Sequence, residues 1–275
     1  MHILAVLTLA AAWTVPFEFA GDEIFVPVRV NGSKPVWFAV DSAASAMILH
    51  SEAARRLELS GGERGQSRGA GAGPVAHTKI AAPVSLQIGS LPRADYPMIA
   101  IDLSGPAESA GHAMDGLIGY EFFSRYVVKI DYALHRMTVT PPGEFRAPPE
   151  YVGLPLVMDH KLPFVEAELK VPGVPAAKSL FLIDTGSSDA VDHPLIKESS
   201  GEVRKTVTGV GLGTPTSGYV GRAEYFKLGP YVVRTPVLAC CGGNEFNQRM
   251  IGVAILRQFD VIFDYPHSRL FVRRR

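Results

Sequence analysis

Apolar residues in this chain fall mostly in short runs and period-two stretches, a pattern that predicts strands rather than helices. Ile24–Val30 alternates and ends at the turn pair Asn31-Gly32, and Val36–Val40 is a continuous apolar run suited to burial. Val84–Ile88 closes on Gly89. Val127–Ile130 and Arg136–Thr140 flank Asp131-Tyr132 like the arms of a hairpin. The second half has the same texture in Phe164–Val171, Leu180–Ile183, Tyr231–Leu238, Val261–Phe263 and Leu270–Val272. Helices are predicted only over Ala53–Leu59, Glu121–Arg125 and Ala254–Gln258. Pro141–Pro149 reads PPGEFRAPP, so residues 142–149 are the natural linker between a lobe over 14–141 and another over 150–275.

The chain is written twice. Phe38-Ala39-Val40-Asp41-Ser42-Ala43-Ala44-Ser45 recurs as Phe181-Leu182-Ile183-Asp184-Thr185-Gly186-Ser187-Ser188, 143 positions on. Gly116-Leu117-Ile118-Gly119 recurs as Arg249-Met250-Ile251-Gly252, 133 positions on, and the segments that follow, to Asp131-Tyr132 and Asp264-Tyr265, also agree. Two ordered matches, each with a constant offset and differing by about ten residues between the signatures, mean a tandem duplication. Counterparts are thereby defined: Asp189, Asp192 and His193 answer to Ala46, Leu49 and His50, and Asp115 to Gln248.

Composition narrows the function. With 275 residues and 47% hydrophobic content the chain can bury a sizeable core, and 27 basic against 27 acidic residues leave no net charge to draw it to nucleic acid. The only cysteines, Cys240 and Cys241, are adjacent, so no disulfide framework staples the fold. The scattered histidines His77, His112, His135, His160 and His267 form no metal spacing and read as surface or structural residues. Met1–Ala12 is an apolar run ending in three alanines, which reads as a signal peptide over residues 1–12 although no basic residue precedes it. The expected location is periplasmic or extracellular, with membrane attachment if the segment stays uncleaved.

A pair of aspartates, each delivered by an apolar strand and followed by a hydroxyl and small residues, suits one kind of chemistry. Two carboxyls brought together cannot both ionise easily, so one stays protonated while the other takes a proton from a shared water. The small residues let the loops approach, and the hydroxyls of Ser42 and Thr185 can brace one loop against the other. A single Asp after a strand would be only a turn residue, and duplication is what singles out Asp41 and Asp184. Asp131 and Asp264 also repeat, but each precedes Tyr in a hairpin and is expected to be turn chemistry. Asp189, Asp192 and His193 could be mistaken for metal ligands, but duplication does not support a site, and all three are expected to line a cleft or face solvent.

Asp184-Thr185-Gly186-Ser187-Ser188, Asp41-Ser42-Ala43-Ala44-Ser45 and the signatures Leu117-Ile118-Gly119 and Met250-Ile251-Gly252 resemble the pepsin and retropepsin superfamily of aspartic peptidases, and in particular its bacterial, exported branch with both halves on one chain. The resemblance runs from about Phe17 to Val272. It implies an all-β fold of two homologous closed β lobes with a cleft between them, each signature glycine packed beneath its own loop, and a flap over the cleft. It implies a peptidase that uses Asp41 and Asp184, supported by Ser42, Ala43, Thr185 and Gly186, acting on peptide or protein substrate as a monomer with no metal or organic cofactor. Flap candidates are the glycine-rich segments at Gly69 and Gly71 and at Gly209 and Gly211. The first motif departs at Ala43, where the family has glycine. An alanine there would be strained if the position needed φ > 0, and it makes a catalytically weak or inactive peptide-binding module the competing reading.

Overall fold

A computed structural model describes residues 12–59, 61–209, 211–240 and 249–275. The predicted signal peptide therefore lies outside the described residues except for Ala12, as do Cys241 and Gln248. The chain is mostly β, as expected, with two sheets and a few single-turn helices. Among the described residues no helix is long and apolar enough to cross a membrane.

The two halves join in one six-stranded layer, in the order Trp13–Pro16, Arg136–Thr140, Val127–Asp131, Phe259–Asp264, Arg269–Arg274 and Val152–Asp159. Its central antiparallel pair carries the duplication in its register. Lys129 lies opposite Ile262, its own duplicate, with Val128 opposite Phe263 and Ile130 opposite Val261. Only a two-fold relation through the Lys129–Ile262 pair produces that register. The proline-rich residues 142–149, which include a single turn at Pro142–Glu144, lead from the first half into Val152–Asp159.

Above this base, equivalent strands recur. Glu23–Val30 pairs with Val36–Val40 as Leu162–Lys170 pairs with Ala177–Ile183. Phe38 and its duplicate Phe181 are both fully buried, each contributing roughly 2–3 kcal/mol by removal from water. One cluster of buried side chains runs through both halves, from Val15 to Val272.

Several predicted boundaries shift. The strand predicted over Tyr231–Leu238 is two, Tyr231–Arg234 and Val237–Cys240, because Thr235 takes φ 48° and Pro236 follows it. The three predicted helices occupy Ser51–Arg56, Tyr120–Phe123 and Val253–Leu256, and a fourth, Ser104–Ala110, was not predicted. Gly61–Ser67, Val75–Ile80, Val203–Gly209 and Thr216–Arg222, none of them predicted, form two projecting hairpins. Gly61–Ser67 reads GGERGQS and has no buried face, so backbone ladder bonds rather than side-chain pattern define it.

Candidate active site

Asp41 follows the last residue of Val36–Val40, and Asp184 the last of Ala177–Ile183. Each strand runs parallel to the short signature strand of its own half, Gly116–Ile118 or Met250–Ile251. The N–H of Asp41 donates to the Ile118 carbonyl and that of Asp184 to the Ile251 carbonyl, both at 3.0 Å. A methyl group at Gly119 would stand 2.2 Å from the Ala46 carbonyl oxygen, and one at Gly252 2.3 Å from that of Asp189. Any side chain would push the loop away, so glycine at these two positions sets the height of each Asp.

The loops are tied to each other by four reciprocal hydrogen bonds. The Ser42 N–H donates to Thr185 Oγ1 at 2.9 Å, and the Thr185 N–H to Ser42 Oγ at 3.0 Å. Ser42 Oγ donates onward to the Ile183 carbonyl at 2.7 Å, and Thr185 Oγ1 to the Val40 carbonyl at 2.8 Å. Both residues have no solvent exposure, so every donor and acceptor in the grip would be costly to leave unpaired. A serine in place of threonine keeps both bonds of the hydroxyl.

Ala43 is free of the strain considered above. Its φ is not among the positive values. Its N–H donates to Asp41 Oδ1 at 2.8 Å, matching the 2.8 Å bond from the Gly186 N–H to Asp184 Oδ1. Gly186 is the tighter position, since a methyl there would stand 2.8 Å from Asp41 Cγ.

Both carboxyls have raised pKa values. Burial is the largest cause at Asp41, opposed by the N–H groups of Ala43 and Ala44 and by a hydrogen bond from Asp184. Asp184 is raised further, by burial first and then by the negative charge of Asp41. Each carboxyl thus acts on the ionisation of the other.

Two neighbours escaped the sequence reading. Glu23, at the start of its strand, lines the cleft beside Asp41, and burial followed by the Asp41 charge pushes its carboxyl up to about 8. Tyr265 is buried under the first loop, and its hydroxyl donates to the Ser42 carbonyl at 2.7 Å. Burial, then the charge of Asp41, holds that phenol well above its ordinary range. The repeated Asp-Tyr pairs were the available signal for Tyr265, whereas nothing in a polar strand end marks Glu23. The aspartates of those pairs do serve turns: Asp131 Oδ1 accepts from the N–H groups of Ala133 and Leu134, and Asp264 Oδ1 from that of His267.

The glycine-rich segments occupy the tips of the two projecting hairpins, and the tips touch. Ala72 and Thr214 exchange backbone hydrogen bonds at 2.8 and 3.1 Å, and the Gly213 N–H donates to the Ala70 carbonyl at 2.8 Å. Gly71, at φ 94°, lies so close to Gly213 that a methyl would stand 2.7 Å from its carbonyl carbon. Gly69 and Gly211 line the same cleft of ≈ 600 Å³ as Asp41 and Asp184, and Gly209 ends the strand leading to the second tip.

Asp189 and Asp192 also line this cleft. His193 does not: it is buried, Nδ1 accepts the Leu195 N–H at 3.1 Å, and burial, then the charge of Arg249, lowers its pKa to about 4. His160 lines the cleft edge, a placement not expected from the sequence. Asp115 is structural, accepting from Arg56 at 2.7 Å and from the Trp37 N–H at 3.1 Å. Among the described residues no three His, Cys, Asp or Glu side chains cluster as a metal site.

Residues 26–122 match the family model described as aspartyl protease. That match supports placing the chain in the aspartic peptidase superfamily. It spans the first loop and the first signature glycine, while the second copy of each stands on the duplication. No curated protein matches the chain. As a peptidase-type scaffold the arrangement offers two coupled carboxyls at the floor of a cleft, each fixed on one oxygen by a backbone N–H.

Proposed function

We propose that this protein is an aspartic endopeptidase in which Asp41 and Asp184 jointly activate a water molecule. The observation that carries the reading is the pair of half-buried carboxyls that act on each other at the cleft floor, on loops tied by the Ser42–Thr185 grip. With one proton between them, the ionised member takes a proton from water as it attacks the scissile carbonyl. The protonated member donates to the carbonyl oxygen. No covalent intermediate is needed, because the nucleophile is water. The backbone N–H groups of Ala43 and Gly186 hold one oxygen of each carboxyl, which leaves the other free to face the substrate. The touching hairpins act as paired flaps that must part for an extended peptide to enter and then cover it. Both halves lie on one chain, so a monomer is sufficient. Residues 1–12 are assigned to export, which would place the activity outside the cytoplasm.

The competing, binding-only reading rested on Ala43. Its ordinary φ and its retained bond to Asp41 support an active loop instead. The test is digestion of a diverse peptide library from about pH 3 to 8 in H₂¹⁸O. The reading expects internal cuts with ¹⁸O in the new carboxylate and none that can be trapped as an acyl-enzyme. Absence of cutting at every pH, with peptides still bound, would establish the binding module.

A further inference from the structure

The floor of the cleft is built from two symmetric rows of side chains that run across the sheets. In the first half the register aligns Ala39, Leu117, Ile48 and Ile99, all of which line the cleft. In the second half the same register aligns Leu182, Met250, Asp192 and Ala239, again all lining it. The structure thus corrects the sequence counterpart of Asp192 from Leu49 to Ile48. One carboxyl stands in the middle of a row that is otherwise apolar in both halves.

Among the described residues that carboxyl has no partner. Asp192 is 8% exposed, and no hydrogen bond or ion pair from a described residue holds its side chain. Asp189, which occupies the place of Ala46 beneath its signature glycine, lies close enough to act on it electrostatically. Burial, then the Asp189 charge, pushes Asp192 well above the usual carboxylate range, and burial raises Asp189 as well. Among the described residues no cation relieves the pair: Arg249 is exposed and its charge acts on His193. A buried carboxyl in an apolar wall is costly unless something positive arrives.

We propose that Asp192 and Asp189 form the base of a substrate pocket in the second half of the cleft that selects a cationic group of the peptide. Resting on the peptide-cleft reading above, the inference adds what the cleft prefers. A lysine or arginine fits the chemistry of the row: its alkyl stem lies along Leu182, Met250 and Ala239 while its charge meets the two carboxylates. A free α-amino terminus carries the same charge without the stem. Glu23 is not part of this pocket, because its symmetric position in the second half is Leu162.

The test uses matched peptides carrying lysine or norleucine at each position in turn, with the amino terminus free or acetylated. Cleavage by the wild type, Asp192→Asn and Asp192→Ile with Asp189→Ala is compared, alongside dissociation constants for the same peptides on Asp184→Asn with and without those changes. The double change installs the residues of the first half, and thermal melting checks that each variant folds. The wild type is expected to favour lysine over norleucine about tenfold or more at one position, and the double variant to favour norleucine. Discrimination only between free and acetylated peptides would assign the pocket to the amino terminus. A wild type that cuts without favouring a cation, or a preference that survives both variants, overturns the proposal. If nothing is cut but lysine peptides bind better in an Asp192-dependent way, the pocket stands and the peptidase reading falls.

Discussion

The two halves of the cleft agree in everything that fixes the aspartates and differ in what surrounds them. Loop height, the grip and the N–H bond to each carboxyl are matched to within about a tenth of an ångström. The walls are not. Glu23 in the first half corresponds to Leu162 in the second, and Ile48 in the first to Asp192. The tyrosines differ as well, since Tyr265 braces Ser42 while the buried Tyr132 hydroxyl meets no partner among the described residues. Symmetry is retained where the two carboxyls are positioned and dropped along the walls, where under the proposed function an asymmetric peptide would be recognised in one direction.

The sharpest way to break the matched part is at the motif glycine. Gly186→Ala drives a methyl against Asp41 and is expected to lower kcat by about a hundredfold or more, the cost of displacing a reacting group by an ångström. Its mirror, Ala43→Gly, should leave kcat near wild type and destabilise the fold by no more than about 1 kcal/mol through unfolded-chain entropy. Equal effects at the two positions would mean that the loops are not arranged as described. Thr185→Ala removes two bonds of the grip and strands the Ser42 N–H and the Val40 carbonyl. Chemical denaturation should show a loss of about 2–4 kcal/mol.

A smaller contrast tests the tyrosines. Tyr265→Phe strands the Ser42 carbonyl and is expected to cost about 1–3 kcal/mol, whereas Tyr132→Phe, which removes no bond, should change stability by about 0.5 kcal/mol or less. The pH dependence tests the walls. Glu23 has a folded pKa raised from 4.5 to about 8, so its protonated form is the one the fold favours. Its contribution is present below the unfolded value and is lost as pH rises from about 4.5 to about 8. Melting across that window should show falling stability. Glu23→Gln should flatten the slope by at most about 1.4 kcal/mol per pH unit, one proton's worth. An unchanged slope would show that Glu23 is solvated.

Much of this was legible in the sequence because duplication makes weak signals count twice. Asp41 and Asp184, the grip hydroxyls and the signature glycines were all visible as paired residues in apolar context. The flap tips were visible as glycine clusters, but not the hairpins beneath them, whose polar arms are defined by backbone pairing. The wall asymmetry was illegible for a different reason. A one-residue shift between Asp184 and Asp192 moves the counterpart of Asp192 from Leu49 to Ile48, and a shift of one residue in a strand exchanges the core face for the cleft face. Only the strand register shows which side chain faces the cleft.

Whether the halves make one site from two carboxyls can be read from a double-variant cycle. Single-turnover cleavage of one good library peptide would be measured for the wild type, Asp41→Asn, Asp184→Asn and the double variant. Carboxyls that act as a unit predict that either single change removes nearly all activity and that the second change removes little more. Substantial cleavage by one single variant, or losses that multiply in the double variant, would contradict the shared site.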